Sequence, residues 1–307
     1  MSAPLVTIGV PVYNEVKYVA ESLKSLLKQS YPNLEILISD NGSADGTSEI
    51  CADYAATYPH ITHIRHAKNM GQHANFNYLP RCSSGTYFCW ASGHDLLEPT
   101  FIEDSVAVLE SDPAIVLAYP RTIYTTSYTR EEGRPFDIRA MSAERRFREV
   151  MWRVDCNYVY GVWRLSPMLD SKLFQAVPAP DRVFLAEMAI KGPFAPVNTF
   201  KHYRMNRGRK QTEIEKRHRI MQYLFPNRTF TDAELAGNQL YLPTKHAFRR
   251  LAQDAEFPWY TRFHLYYSVW ICGVVKFHLF PGSDFLSAVV RKALPAPLLK
   301  MVLRKMQ

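Results

Sequence analysis

No stretch of this chain keeps the roughly 18 or more consecutive apolar residues that a membrane-spanning helix needs, so no spanning segment is expected. Cysteine is scarce and shows no pairing pattern. Cys51, Cys82, Cys89, Cys156 and Cys272 are odd in number, none forms a C-x-x-C pair, and two lie in the apolar runs YFCWA and VWICGVV. That excludes a disulfide-framed scaffold and fits reduced, packed thiols in a cytoplasmic setting. The opening MSAPLVTIGV has neither the basic start nor the long apolar core of an export signal. Low-complexity tracts and internal repeats are missing too, which argues against a disordered or solenoid chain. Acidic side chains thin out toward the end: residues 201–307 carry 19 Lys/Arg against 7 Asp/Glu, whereas residues 1–200 carry 18 against 22. A basic region on a near-neutral body points to an anionic ligand or surface met at the C-terminal end. With no zinc-finger spacing and no RNA-recognition signature, nucleic acid is set aside as that partner.

What is present is a large apolar core. Hydrophobic residues make up 47% of 307, enough for one sizeable domain with an appendage. The first half alternates strand and helix signals: strands at 5–13, 34–40, 61–66, 86–91 and 114–119, separated by helical faces such as Val19, Ala20, Leu23, Leu26 and Leu27. This predicts an α/β fold with a mainly parallel, Rossmann-like sheet flanked by helices. Helices follow over 142–154, with Phe147, Val150, Met151 and Val154 inward, and over 180–192, before a last strand at 194–205. The pattern then turns polar, basic and helical, so a catalytic domain is expected over 1–205 and a helical, aromatic-rich appendage over 206–307.

Ligands of open α/β sheets bind at the C-terminal strand ends. The first strand ends in Pro11-Val12-Tyr13-Asn14-Glu15 and the second in Asp40-Asn41-Gly42-Ser43-Ala44-Asp45-Gly46-Thr47. Tyr13 could stack on a base while Asp40 accepts an imide N–H. A plain strand-to-helix turn, with Asp45-Gly46-Thr47 capping the next helix, is the other reading of the second segment.

PVYNE followed by SDNGSADGT resembles glycosyltransferase family 2, whose members have the GT-A fold, and the likeness runs over about residues 5–205. The resemblance implies an inverting transferase that uses a nucleotide sugar. It assigns Pro11, Tyr13, Asn14, Glu15 and Asp40 to the uridine end of the donor, with Asn69 and Gly71 of KNMGQHAN beside them. The family has an acidic D-x-D-type strand end where this chain has Ser92-Gly93-His94-Asp95, so Asp95 is left as the metal ligand for Mg²⁺ or Mn²⁺ and His94 as a contact to ribose or phosphate. YVYGVWRLSPM is similar to the acceptor-side glycine loop, which implicates Gly161 and Arg164; Tyr158, Tyr160 and Trp163 there are either sugar platforms or core. Asp181 of PDRVFLAEMAIKG matches the general base, a role compatible with helix capping, and Glu187 is the weaker alternative. In FKHYRMNRGRK, His202 is a candidate metal ligand, and Arg204 and Arg207 are candidates for the diphosphate.

The reading that follows is a glycosyltransferase moving a sugar, from a UDP-sugar by expectation, to a hydroxyl of a glycan or lipid-linked saccharide. The alternatives are a metal-independent transferase relying on His94 and cations at 204–210, and a non-catalytic nucleotide-sugar-binding or scaffold subunit. Residues 257–281 mix aromatic and basic side chains, and the last 24 residues hold five basic ones with no acid after Asp284. These segments either lie on an anionic membrane surface, making the protein peripheral on an inner membrane face, or pack on the core.

Overall fold

The computed structural model describes residues 3–125, 130–132, 136–204, 212–236 and 242–255. In chain order the elements are β1 (Val6–Val12), α1 (Val19–Leu27), β2 (Leu34–Asp40), α2 (Thr47–Thr57), β3 (Ile61–Arg65), α3 (Gln72–Arg81), β4 (Tyr87–Trp90), β5 (Leu96–Leu97) and α4 (Phe101–Ser111). They continue with β6 (Leu117–Thr125), β7 (Arg130–Glu132), α5 (Ala143–Arg153), a 3-10 turn (Cys156–Tyr160), β8 (Val162–Arg164), α6 (Leu165–Leu169), α7 (Pro180–Lys191) and β9 (Phe194–Arg204). Three helices close the described chain: α8 (Glu213–Leu224), α9 (Asp232–Ala236) and α10 (Leu242–Asp254).

The strands form one sheet in the order β3-β2-β1-β4-β8-β6-β9-β5, with β7 beside β6. β3, β2, β1 and β4 are parallel neighbours. The mostly apolar runs of β1, β2 and β4 suit strands covered on both faces, whereas β3, at the sheet edge, is polar and half-exposed. Beyond β4 the pairing changes: β8 is antiparallel to both β4 and β6, and β5 is antiparallel to β9, while β6 and β9 run parallel. The parallel block is therefore the N-terminal half, where sequence alternation is clearest. Short strands entering the sheet in the opposite sense complete the second half.

Alternation along β1 explains the two-layer core. Val6, Ile8, Val10 and Val12 face one side, packing with Val19, Leu23 and Leu26 of α1 and with Phe101, Ile102 and Leu109 of α4. The other side carries α3, α5, α7 and α10 over an aromatic cluster of Phe76, Trp90, Trp163, Phe174 and Phe184. Each large side chain buried there is worth roughly 1.5–3 kcal/mol relative to exposure. Phe147, Val150, Met151 and Val154 point inward as expected. α10 contributes Ala247, Phe248, Leu251 and Ala252 to the same cluster, so the boundary anticipated near residue 205 falls within one continuous core.

Gly161, expected beside a sugar, has a packing explanation in the fold. A Cβ at this position would lie 2.5 Å from Leu117 Cδ1, 2.6 Å from the Ala118 carbonyl oxygen and 3.0 Å from Tyr119 Cα. The glycine lets the 3-10 turn press onto the backbone of β6. Gly161→Val is expected to lower the unfolding free energy by about 1–3 kcal/mol through overpacking, read from the midpoint of urea denaturation. An unchanged midpoint would contradict this packing.

Candidate active site

Register brings the two sequence motifs together. Val12 of β1 pairs with Asp40 of β2, so both strands end at the same level. The loops that leave them are then fastened to each other. The Asn14 N–H donates to Ser43 Oγ at 2.9 Å, the Glu15 N–H to Thr47 Oγ1 at 2.8 Å, and the Val16 N–H to Asp45 Oδ2 at 3.2 Å. In return Asn14 Oδ1 accepts the Ala44 N–H at 3.0 Å. Asn14 adopts a left-handed backbone (φ 54°), a conformation asparagine tolerates better than most residues. Asp45 also accepts the Thr47 N–H at 3.0 Å, satisfying one free amide at the start of α2.

A cavity of about 490 Å³ opens at these strand ends. Pro11, Val12, Tyr13, Glu15 and Asn41 form one wall, Asn69, Gln72, Asn75 and Phe76 the next, and Ser92, His94 and Tyr160 a third. Gln222, Tyr223, Pro226, Arg228 and Thr229, from α8 and the turn after it, close the fourth. Tyr13 and Tyr223 are both exposed, at 44% and 53%, and so are available to a flat ligand. Behind the polar wall, Asn41 Nδ2 donates to Asn69 Oδ1 at 2.9 Å, Asn41 Oδ1 accepts the Met70 N–H at 2.8 Å, and the Gly71 N–H donates to Asn69 Oδ1 at 2.8 Å. Gly71 has φ 91° and lies against the end of α8, where a Cβ would come within 3.1 Å of the Leu224 oxygen; both features favour glycine.

Asp40 sits just behind this wall. Its side chain is wholly buried and it is not among the lining residues. Oδ1 accepts the Ser43 N–H at 2.9 Å, and Oδ2 lies 3.9 Å from both His63 Nε2 and Arg65 Nε. Burial alone would raise its pKa, but the interactions with His63, Ser43 and Ser48 outweigh burial and hold it well below the usual carboxylate range. The carboxylate meets protein groups, and its neighbour Asn41 is the residue that reaches the cavity.

His94 and Glu15 face each other across the cavity wall, Nδ1 to Oε1 at 2.9 Å. Desolvation would lower the His94 pKa, but the Glu15 hydrogen bond and the Asp95 and Glu15 charges carry it above its ordinary value. A Cβ at Gly93 would come within 3.0 Å of Val12 Cγ1, so glycine suits the turn before His94.

Asp95 is placed differently from what the sequence suggests. Its Oδ2 lies 2.6 Å from Lys201 Nζ, with side-chain exposures of 2% and 0%. Burial lowers the Lys201 pKa, while the Asp95 charge and hydrogen bond, and the Asp155 charge, oppose that shift. Removing one partner of such a buried pair typically costs about 3–5 kcal/mol. A divalent ion on the same oxygen would lie within about 5 Å of the ammonium. Two cations so close repel each other, and the lysine already supplies positive charge at that carboxylate. Positions 92–94 add a serine, a glycine and an imidazole already bonded to Glu15. Among the described residues no three His, Cys, Asp or Glu side chains gather into a metal-holding group. These residues do not fit a divalent cation at Asp95. Sequence reasoning missed Lys201, although Val197, Thr199 and Lys201 alternate inward along β9.

Arg164 is corrected as well. Its guanidinium donates to the carbonyls of Ile115 (2.7 Å), Leu109 and Asp112 (3.2 Å) and to Tyr87 Oη (3.2 Å), tying β8 to α4 away from the cavity. Of the aromatics near it, Tyr160 lines the cavity, whereas Tyr158 stacks on Tyr119 at 4.1 Å and Trp163 is fully buried. Glu187, the weaker alternative base, is buried in α7 and accepts the Lys172 N–H at 3.0 Å. The backbones of His202 and Arg204 belong to β9, His202 opposite Leu96. Their side chains lie outside the described residues, as do Arg207 and residues 257–307 with the proposed membrane face. Among the described residues no helix is long and apolar enough to cross a membrane.

Asp181 begins α7, after Ala179 in the left-handed region (φ 56°, ψ 55°) and Pro180 at the first helical position. Alanine there costs about 1–2 kcal/mol, strain of the kind found at functional sites. Asp181 Oδ1 accepts the Arg182 N–H at 2.8 Å. Burial raises its pKa above the usual carboxylate value, opposed by the Arg182 N–H and by a hydrogen bond from Cys156.

The profile of the family described as glycosyl transferase family 2 matches residues 7–165. Chondroitin synthase of Escherichia coli is 27% identical over 215 residues, 69% of this chain and 30% of that protein. The chain spans about a third of the length of the curated relatives it matches. Among solved structures, Staphylococcus aureus TarS 1–349 in complex with UDP superposes with a TM-score of 0.56 at 16% identity, covering 98% of this chain and 87% of that one. The mannosyltransferase PcManGT of Pyrobaculum calidifontis, in complex with GDP-Man and Mn²⁺, gives 0.52 at 16% identity over 99% and 86%. At such identities these two likenesses concern the GT-A fold.

The Glu15–His94 pair yields a pH signature. A raised folded-state pKa adds stability below the unfolded value near 6.5, and that stability is lost as pH rises through the folded value. NMR titration of the His94 ring should give a midpoint above about 6.5, and Glu15→Gln should move it down. Because the pair is partly exposed, its stability contribution at low pH should stay under about 1 kcal/mol. A midpoint indifferent to Glu15→Gln would contradict the pairing.

Proposed function

The chain belongs to glycosyl transferase family 2, and from that premise we propose that it transfers a sugar from a nucleotide-sugar donor held in the strand-end cavity to a hydroxyl of a glycan or lipid-linked saccharide. The observation that carries this reading is the cavity itself, where PVYNE and the turn after β2 meet with Asn69 and His94. Nucleotides bound by the solved neighbours, UDP in TarS and GDP-Man in PcManGT, support a nucleoside-diphosphate donor. Uridine is the base we assign.

In this reading Tyr13 offers its exposed ring to the base beside Pro11 and the Asn41–Asn69 corner. Asp40 and Asn14 act as fasteners that hold the two loops in register. Glu15 orients His94, and His94 and Arg228 supply positive charge for the diphosphate. Asp181 takes the proton from the acceptor hydroxyl as it attacks the anomeric carbon, and the sugar inverts while the nucleoside diphosphate leaves. A carboxylate with a raised pKa is a stronger base than an ordinary one, which suits that step.

The test is donor turnover with panels of UDP- and GDP-sugars and of oligosaccharide acceptors. Asp181→Asn should lower turnover by about 10² or more while leaving nucleotide affinity, measured by calorimetry, within about twofold. Tyr13→Ala should weaken nucleotide binding about tenfold, an ordinary loss for a stacking ring. Equal turnover by Asp181→Asn and the parent would overturn the base assignment. A retained nucleotide pocket with no turnover by the parent against any panel would favour a binding subunit.

A further inference from the structure

We propose that this transferase binds and uses its donor without a divalent metal, the Lys201 ammonium standing at Asp95 in the metal's place. The inference rests on the nucleotide-sugar reading above and concerns the same cavity.

Sheet register puts the lysine there. β5 follows directly on the His94-Asp95 turn and pairs with β9, Leu97 opposite Lys201 and Leu96 opposite His202. The strand carrying Lys201 is thereby fixed beside the acidic turn, and its ammonium reaches Asp95 Oδ2 at 2.6 Å with neither side chain open to solvent. On its other side the ammonium lies 3.7 Å from the centre of the Tyr160 ring. Tyr160 lines the cavity, so the fixed cation stands one ring away from the donor space.

Charge balance favours the same conclusion. A strand end with two or three carboxylates is neutralised by a divalent ion. Here Ser92, Gly93 and His94 stand before Asp95, and the Asp95 carboxylate already meets the Lys201 ammonium at 2.6 Å. Lys201 is a positioning residue: it holds Asp95 and the cavity-lining Tyr160, while His94 and Arg228, which also line the cavity, are the groups we assign to the diphosphate.

The experiment uses the full chain, with UDP and GDP as probes. Free aqueous Mn²⁺ is followed by electron paramagnetic resonance as protein is added, with and without nucleotide. Nucleotide affinity is measured by calorimetry in EDTA and in MnCl₂. For the parent protein we expect no Mn²⁺ retained beyond the nucleotide-only control, and affinities in the two media within about twofold, since differential binding is what a required ligand must supply. Stoichiometric Mn²⁺ retention, through His202 or any other group, or a tenfold or greater gain of affinity in Mn²⁺, would overturn the proposal. Lys201→Met should acquire Mn²⁺ retention that the neutral pair Asp95→Asn/Lys201→Met lacks; a Lys201→Met protein that folds and still ignores Mn²⁺ would count against it. If Lys201→Met fails to fold, the parent measurements still decide. Absence of nucleotide binding in both media would overturn the donor reading, and Mn²⁺ titration of the protein alone would still test the Asp95–Lys201 assignment.

Discussion

Everything at this site depends on the level at which β1 and β2 end. Parallel pairing of Val12 with Asp40 sets that level, and the hydrogen bonds from Asn14, Glu15 and Val16 to Ser43, Thr47 and Asp45 lock the two loops above it. A one-residue slip in that register would exchange the sheet faces of β1 and send its four valine and isoleucine side chains away from α1 and α4. The core therefore enforces the geometry that the site uses, and Asp40 has more to do with fastening than with contact.

A second constraint ties the halves of the molecule together. β9 lies between β6 and β5, and through Lys201 it meets the turn that leaves β4. The N-terminal parallel block and the later strands thus share one buried ion pair, packed against the cavity-lining Tyr160. Such pairs add little net stability, because desolvation offsets most of the Coulomb gain, but they penalise alternatives in which either charge is left alone. Here the pair specifies where the strand carrying Lys201 lies relative to the His94 turn.

Some of this was legible in the sequence and some was not, for identifiable reasons. β1, β2 and β4 read cleanly because strands buried on both faces are written as mostly apolar runs. α3 did not, because its inward face carries Asn75 and Asn77, which bond to Ser39 and to the Phe174 backbone, where apolar residues would have signalled a helix. The linear motifs located Tyr13, Glu15, Asn69 and His94 at the cavity, but they also drew in Gly161 and Arg164, whose chemistry is spent on β6 and on the carbonyls around α4. The fourth wall, from Gln222 to Thr229, comes from chain beyond the family likeness and had no pattern to mark it. Lys201 did have one: the period of two along Val197, Thr199 and Lys201 places a charge inside, and a buried charge requires a partner.

The roles given to Tyr13, His94 and Asp181 all require a donor nucleotide in the cavity above β1 and β2. A crystal structure of the protein soaked with UDP tests it most directly. Density for the nucleotide is expected between Tyr13 and the Asn41–Asn69 corner, with its diphosphate toward His94 and Arg228 and the Asp95–Lys201 pair intact. Density at another surface, or a metal ion separating Asp95 from Lys201, would contradict it.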